Sequence, residues 1–168
     1  MFGGIRKRLE SMRTIRTLCQ QAELHARREA KQEPGAEHFL LAALDLPDGT
    51  ARVAFAQVGA NAASFGDAIA RQYDEALRHI GIEPPTVSRR GPRQDAGGAG
   101  GGLYHAAASG KQVMQALAAS HKDHAPLLGA HVVAVVADME HGVAARALEA
   151  MGVDRGALKR AAEDAARA

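Results

Sequence analysis

Apolar residues recur at steps of three and four along most of this chain, which is the spacing of one face of an α-helix. From residue 7 to residue 32 this stripe consists of Met12, Ile15, Leu18, Cys19, Ala22 and Ala26. The stripe predicts a first long helix over about 7–32, which Pro34 and Gly35 are expected to end. A short helix is predicted next, over about 36–45, because that run is apolar on nearly every side, as in a helix at the centre of a bundle.

Further helices are predicted on both sides of a segment of different composition. Asp48 or Thr50 can cap one helix, and Asn61 can cap another that extends to about Leu77. Residues 83–102 are rich in proline, arginine and glycine, so few of them can bury apolar surface. We expect 83–102 to be a flexible linker between a first unit, 1–82, and a second unit, 103–168.

The two units share a register of turn and cap residues. His38, Asp45, Gly49, Gly59 and Asn61 have counterparts 93 residues later in His131, Asp138, Gly142, Gly152 and Asp154. Turn glycines and helix caps are needed for backbone reasons, so their recurrence at a fixed shift indicates an internal repeat. The valine-rich run after His131 is therefore predicted to be a helix, although valine alone favours a strand. We expect an all-α protein of about eight helices, arranged as two tandem four-helix repeats related by a pseudo-two-fold axis.

Composition and charge narrow the classes of function. The chain has 21 basic and 19 acidic residues, so it lacks the strong basic excess typical of a nucleic-acid-binding protein. A basic cluster from Arg6 to Arg16 is interpreted as the solvated face of the first helix, and the alternative is a surface for nucleic acid or anionic lipid. Cys19 is the single cysteine, which excludes an intramolecular disulfide and favours the cytoplasm. We expect no signal peptide, because the amino terminus has no continuous apolar run of the kind such a peptide needs. We also expect no membrane partner, because no apolar run is long enough to span a bilayer.

Two stretches carry a resemblance to a known family. Gly35-Ala36-Glu37-His38 and the apolar run after it resemble the Gly-Thr-Glu-His segment of the Clp amino-terminal repeat, and Gly142 to Asp154 is similar to the next stretch of that repeat. The resemblance covers about residues 13–166 outside the linker. It implies a free-standing Clp amino-terminal domain without enzymatic activity or cofactor, and this sequence lacks the phosphate-binding motif of the ATPase ring. The implied partners are Clp substrates, adaptors, or the ATPase and peptidase subunits of the Clp machine.

The resemblance also implies two binding residues. In ClpC-type members the glutamate of this motif contributes to a phosphoarginine site, and Glu37 matches it. Ala36 replaces the threonine of the motif and removes a hydroxyl group, whereas Ala130 stands where the second repeat would carry its glutamate. Phe2 resembles a phenylalanine that contributes to an apolar groove for cyclic peptide antibiotics in related domains. The alternative for Glu37 is a purely structural carboxylate, stabilised by the dipole in the first turn of its helix.

Two other functions stay open at this point. The chain could sequester cyclic peptide antibiotics that target the Clp unfoldase, in which case Phe2 would matter more than Glu37. It could also be a nucleic-acid-associated regulator that uses the basic first helix and the linker arginines, although the even charge balance leads us to expect no nucleic-acid partner.

Catalytic and metal sites are not expected. No catalytic group can be nominated, and His38 and His131 are expected to be structural because both open apolar helices. His121 and His124, with Asp123 beside them, are three residues apart and could share a helix face, but a tetrahedral metal site would need two more ligands besides the two histidines. We therefore expect no metal ion.

Overall fold

Eight α-helices make up the computed structural model, which describes residues 2–84, 106–120, 122 and 126–168 and contains no strand within those ranges. The helices are α1 (Phe2–Arg28), α2 (Ala36–Asp45), α3 (Thr50–Gln57), α4 (Phe65–His79), α5 (Ala108–Ala119), α6 (Gly129–Asp138), α7 (Val143–Ala150) and α8 (Arg155–Arg167). A short 3-10 turn, Ala62–Ser64, precedes α4. The predicted all-α class with about eight helices is confirmed. Within the described ranges, no helix has both the length and the apolar character needed to cross a membrane.

The first helix differs from its predicted bounds at both ends. It begins at Phe2 and ends at Arg28, before Pro34 and Gly35 are reached. Ala30 adopts a positive φ of 57°, and the N–H of Lys31 donates a hydrogen bond of 2.8 Å to the carbonyl of Ala26. This is the closure in which a left-handed residue stops a helix, and alanine here takes the place of the usual glycine. A helix-breaking residue was therefore not needed to end α1.

The internal repeat is visible in the helix bounds and in the turns. α2 and α6 have the same length and start 93 residues apart, and so do α3 and α7. The valine-rich run lies in α6, so its prediction as a helix is confirmed. Gly49 and Gly142 both have positive φ, as do Gly59 and Gly152, which explains why glycine recurs at these turns. Gly59 and Gly152 have nearly the same φ, 68° and 72°, whereas Gly49 and Gly142 share the positive φ but differ in ψ, at −3° and −179°.

The two halves pack together around α2 and α6, which contact each other at the centre. α3 packs against α8 and α4 packs against α7, so each half supplies helices to the other. This reciprocal exchange is the contact pattern that a pseudo-two-fold relation produces. Phe39, Phe55 and Phe65 are fully buried, and the rings of Phe55 and Phe65 meet edge to face with centroids 6.3 Å apart. From residue 85 onward, the predicted linker lies outside the described residues.

α5 is fixed to the segment that leads into α2. The N–H of Ala36 donates a hydrogen bond of 3.1 Å to Oγ of Ser109, and the N–H of Ala107 donates one of 3.1 Å to the carbonyl of Pro34. A side chain at Gly110 would collide with that same carbonyl, so glycine permits this close approach. The first turn of α2 is thus held in place by the second half of the chain.

Candidate functional site

Glu37 lies in the first turn of α2 and is almost completely buried, with an exposed fraction of 6%. Its Oε1 accepts a hydrogen bond of 2.7 Å from the hydroxyl of Tyr73 on α4. Among the described residues, this is the one hydrogen bond made to the Glu37 carboxylate. Among the described residues no buried side-chain oxygen lacks a hydrogen-bond partner, so the second oxygen, Oε2, must lie at the accessible edge of the carboxylate. Oε2 can therefore accept a hydrogen bond from a ligand.

Lys31 lies over the ring face of the same tyrosine. Its Nζ is 4.2 Å from the centre of the Tyr73 ring, which is a cation–π contact. Lys31 follows the end of α1, Glu37 lies in the first turn of α2 and Tyr73 lies on α4, so three separate segments meet at this tyrosine. The site therefore presents a carboxylate and an ammonium group beside one aromatic side chain.

Gly35 allows the carboxylate to fold back over the start of its own helix. A Cβ atom at position 35 would lie only 2.6 Å from Oε2 of Glu37, closer than real Cβ contacts come. Any other residue at this position would displace the carboxylate. The glycine of the Gly-Ala-Glu-His segment is thus required by the position of the glutamate.

His38 holds the backbone of the site and does not face a ligand. Its exposed fraction is 1%, its Nδ1 accepts a hydrogen bond of 2.8 Å from the N–H of Gly35, and its Nε2 lies 3.0 Å from Oε2 of Glu29. Because Nδ1 accepts, it carries no proton, and Nε2–H is the donor to Glu29. The ring is neutral in this arrangement, so the 3.7 Å approach of Glu37 to Nδ1 is not an ion pair.

His131 repeats this role in the second half. Its Nδ1 accepts a hydrogen bond of 3.0 Å from the N–H of Leu128, which matches the bond from Gly35 to His38. Both histidines therefore cap the start of a central helix through a ring nitrogen, as expected for structural residues. His38 is buried more deeply than His131, which is half-buried.

The second half lacks the carboxylate and the tyrosine and has an open cavity instead. Ala130 and Ala166 occupy the positions that correspond to Glu37 and Tyr73. A cavity of about 410 Å³ lies between α5, α6 and α8, with Ala134 and Ala162 in its wall. The cavity also contains the ion pair between Asp138 and Lys159, in which the hydrogen bond to the Asp138 carboxylate raises the pKa of Lys159. The central helices of the two halves thus correspond, but the side chains at the positions of Glu37 and Tyr73 differ.

The other residues singled out in the sequence are not brought to this site. Phe2 is the first residue of α1, but its side chain lies outside what the structure describes, so its place in an apolar groove stays a prediction. His121, Asp123 and His124 also fall outside the described residues. Within the described ranges, no three potential ligands are close enough together to hold a metal ion.

Sequence reasoning missed three members of the site, which are Glu29, Lys31 and Tyr73. Tyr73 lies 36 residues from Glu37 in the sequence, and the spacing of apolar residues carries no sign of the contact between its hydroxyl group and Glu37. No family model matches the chain, and no curated protein matches it either. Function is therefore inferred from Glu37 and its neighbours.

Proposed function

We propose that this protein is a non-enzymatic module that binds segments of other polypeptides, as the substrate- and adaptor-receiving domain of Clp unfoldases does. In this proposal, Glu37 binds the guanidinium group of a phosphoarginine side chain on the bound polypeptide. The observation that carries the proposal is the buried Glu37 carboxylate, which has one hydrogen bond from Tyr73 and a second oxygen free to accept others among the described residues.

The charges beside Glu37 support phosphoarginine as the ligand. A guanidinium group offers planar pairs of N–H donors that suit a carboxylate, and its phosphate needs a nearby cation. Lys31 supplies such a cation over the ring of Tyr73. The carboxylate at the Tyr73 hydroxyl group would bind the guanidinium group, and the ammonium group over the Tyr73 ring would bind the phosphate.

The proposal gives the chain a single site of this kind. Ala130 replaces the glutamate in the second repeat and Ala166 replaces the tyrosine, so the second repeat has no group to bind a guanidinium at that position. We therefore propose one phosphoarginine per chain. The missing hydroxyl at Ala36 removes one donor that could have reached the phosphate.

The proposed partners follow from the resemblance to the Clp amino-terminal repeat. They are proteins marked for degradation, adaptors, or the ATPase and peptidase subunits of the Clp machine. A cytoplasmic location is part of the proposal, and a single cysteine is compatible with it. The module would bind such proteins without a cofactor and without turning them over.

Affinity capture from the native lysate tests this proposal, with wild-type, Glu37→Gln and Glu33→Gln proteins as baits. Glu33→Gln is the matched control because Glu33 is an exposed glutamate four residues away. Clp subunits or arginine-phosphorylated proteins should bind to wild type and to Glu33→Gln and be depleted on Glu37→Gln. Identical protein sets on all three baits would contradict the assignment of Glu37.

A further inference from the structure

The first half of α1 carries a row of apolar side chains that the rest of the protein does not cover. Ile5 is 64% exposed, Leu9 is 53% exposed and Met12 is 63% exposed, and the partly exposed Ile15 follows them. Their spacing of four, three and three residues places them on one side of the helix. We call these four residues the α1 stripe. Single exposed apolar residues are common on proteins, but four in a row on one helix face form a contiguous surface.

Basic residues surround the α1 stripe. Arg8 and Arg16 lie four residues before and after Met12, so they share its side of the helix. Arg6, Lys7 and Arg13 add three more cations in the same segment, and Glu10 is its single acidic residue. Glu10 is already engaged with Arg6, because the two side chains form an ion pair of 3.3 Å. The surface therefore combines apolar contact with an excess of positive charge.

The segment also extends beyond the body of the protein. Residues 3–9 are exposed on every side of the helix, and the contact with the second half begins near Ser11, whose Oγ accepts a hydrogen bond of 3.0 Å from the N–H of Leu127. Within the α1 stripe, Ile5, Leu9 and Met12 are each more than half exposed, and Ile15 is the residue that the body of the protein covers most. The first two turns of α1 are thus accessible to an extended, flat binding partner as well as to a small ligand.

We propose that the α1 stripe binds a membrane surface that contains anionic lipids, with the helix lying in the plane of the interface. The expectation of no membrane partner considered only segments that could span a bilayer, and this helix would lie on the membrane instead. Apolar side chains of one helix face can enter the boundary between headgroups and acyl chains, while long arginine stems let the charged ends reach the headgroup phosphates. Each cation near such a surface adds to the attraction. Charge complementarity selects this occupant, because a second copy of the chain would bring two cationic segments together and repel.

This proposal is independent of the Glu37 site, because the α1 stripe and Glu37 lie on different elements and use different chemistry. Loss of phosphoarginine binding would leave it intact. Loss of lipid binding would likewise leave the proposed function intact.

Co-sedimentation with lipid vesicles tests the proposal with the full chain. The probes are vesicles of phosphatidylcholine alone and vesicles that contain phosphatidylglycerol in addition. An apolar variant carries Leu9→Ser and Met12→Ser, and a charge variant carries Arg8→Gln and Arg16→Gln. The matched controls are Val53→Ser, an exposed apolar residue on α3, and Arg71→Gln, an exposed arginine on α4. Circular dichroism checks that every variant retains its helices.

We expect wild type to bind the phosphatidylglycerol vesicles and to bind phosphatidylcholine vesicles at least about tenfold more weakly. Both α1 variants should lose about tenfold or more in affinity, and both controls should bind as wild type does. Equal binding to both vesicles, or no binding at all, would overturn the proposal. Retained binding by the apolar variant would also overturn it, and tight binding of duplex DNA by that variant would then identify a nucleic-acid surface.

Discussion

The backbone N–H of Gly129 donates a hydrogen bond of 3.1 Å to Oδ2 of Asp48, across the boundary between the two halves of the protein. Oδ1 of the same carboxylate accepts a hydrogen bond of 2.9 Å from the N–H of Thr50. The hydroxyl oxygen of Thr50 in turn accepts one of 2.9 Å from the N–H of Ala130. The turn between α2 and α3 thus caps the start of α6 as well as the start of its own helix.

Replacement of Asp48 should therefore weaken the junction between the halves. We expect Asp48→Ala to lower the free energy of unfolding by about 1–2 kcal/mol, because two backbone N–H groups lose their acceptor. Asp48→Asn retains an acceptor oxygen and should lose less. Urea unfolding followed by circular dichroism measures both, with Asp164→Ala as a control at an exposed carboxylate. Equal stability of Asp48→Ala and Asp164→Ala would contradict a capping role.

Gly110 should tolerate no larger side chain, although it lies inside a helix. Alanine usually stabilises a helix relative to glycine, by up to about 1 kcal/mol. At Gly110 the added Cβ would collide with the carbonyl of Pro34, so we expect Gly110→Ala to destabilise the protein by about 1–3 kcal/mol. Gly66→Ala on α4 is the matched control, because no atom lies within 4 Å of its added Cβ. Thermal unfolding should rank Gly66→Ala above Gly110→Ala, and the reverse order would refute this close packing.

The two capping histidines should differ in their importance. His38→Ala removes a fully buried ring, leaves the N–H of Gly35 without its acceptor and leaves Glu29 without its donor, at an expected cost of about 2–4 kcal/mol. His131→Ala removes a half-buried ring and should cost less. Urea unfolding of the two variants measures the difference. A larger loss of unfolding free energy in His131→Ala than in His38→Ala would show that the burial of the ring does not determine which histidine stabilises the protein more.

Tyr73 and Glu37 should be energetically coupled. Their hydrogen bond joins α2 to α4, so the effects of Tyr73→Phe and Glu37→Ala on unfolding should not add, because each substitution removes one partner of the bond. We expect a coupling energy of about 1 kcal/mol from a double-mutant cycle. A second cycle that combines Tyr73→Phe with Asp164→Ala provides the control and should be additive. Additivity in both cycles would mean that the hydroxyl does not hold the carboxylate.

Turn glycines, helix-capping residues and the spacing of apolar residues were sufficient to predict most of the helices. The bounds of α2 agree with the predicted 36–45, and the fixed shift from His38 to His131 identified α6 as a helix despite its valines. These predictions succeeded because turns and caps restrict residue type locally. The end of α1 could not be predicted, because Ala30 adopts a left-handed conformation that its side chain does not favour.

The spacing of apolar residues does not predict contacts between segments that are far apart in the sequence. Asp48 was expected to cap α3, and its second bond to Gly129 depends on how the halves pack. The exposure of Met12 and Ile15 also depends on how the helices pack. Both follow the helical stripe that Leu18 and Ala22 share, but only the later part of that stripe has a partner surface. Periodicity predicts a face, whereas packing decides how much of the face is covered.

Isothermal titration of a short phosphoarginine peptide tests the proposed function most directly, with wild-type, Glu37→Gln and Glu33→Gln proteins in the cell. We predict one site per chain for wild type and for Glu33→Gln. Binding to Glu37→Gln should be at least about tenfold weaker, because a charge-assisted hydrogen bond is lost. Wild-type affinity in Glu37→Gln, or no binding by folded wild-type protein, would contradict the proposed site.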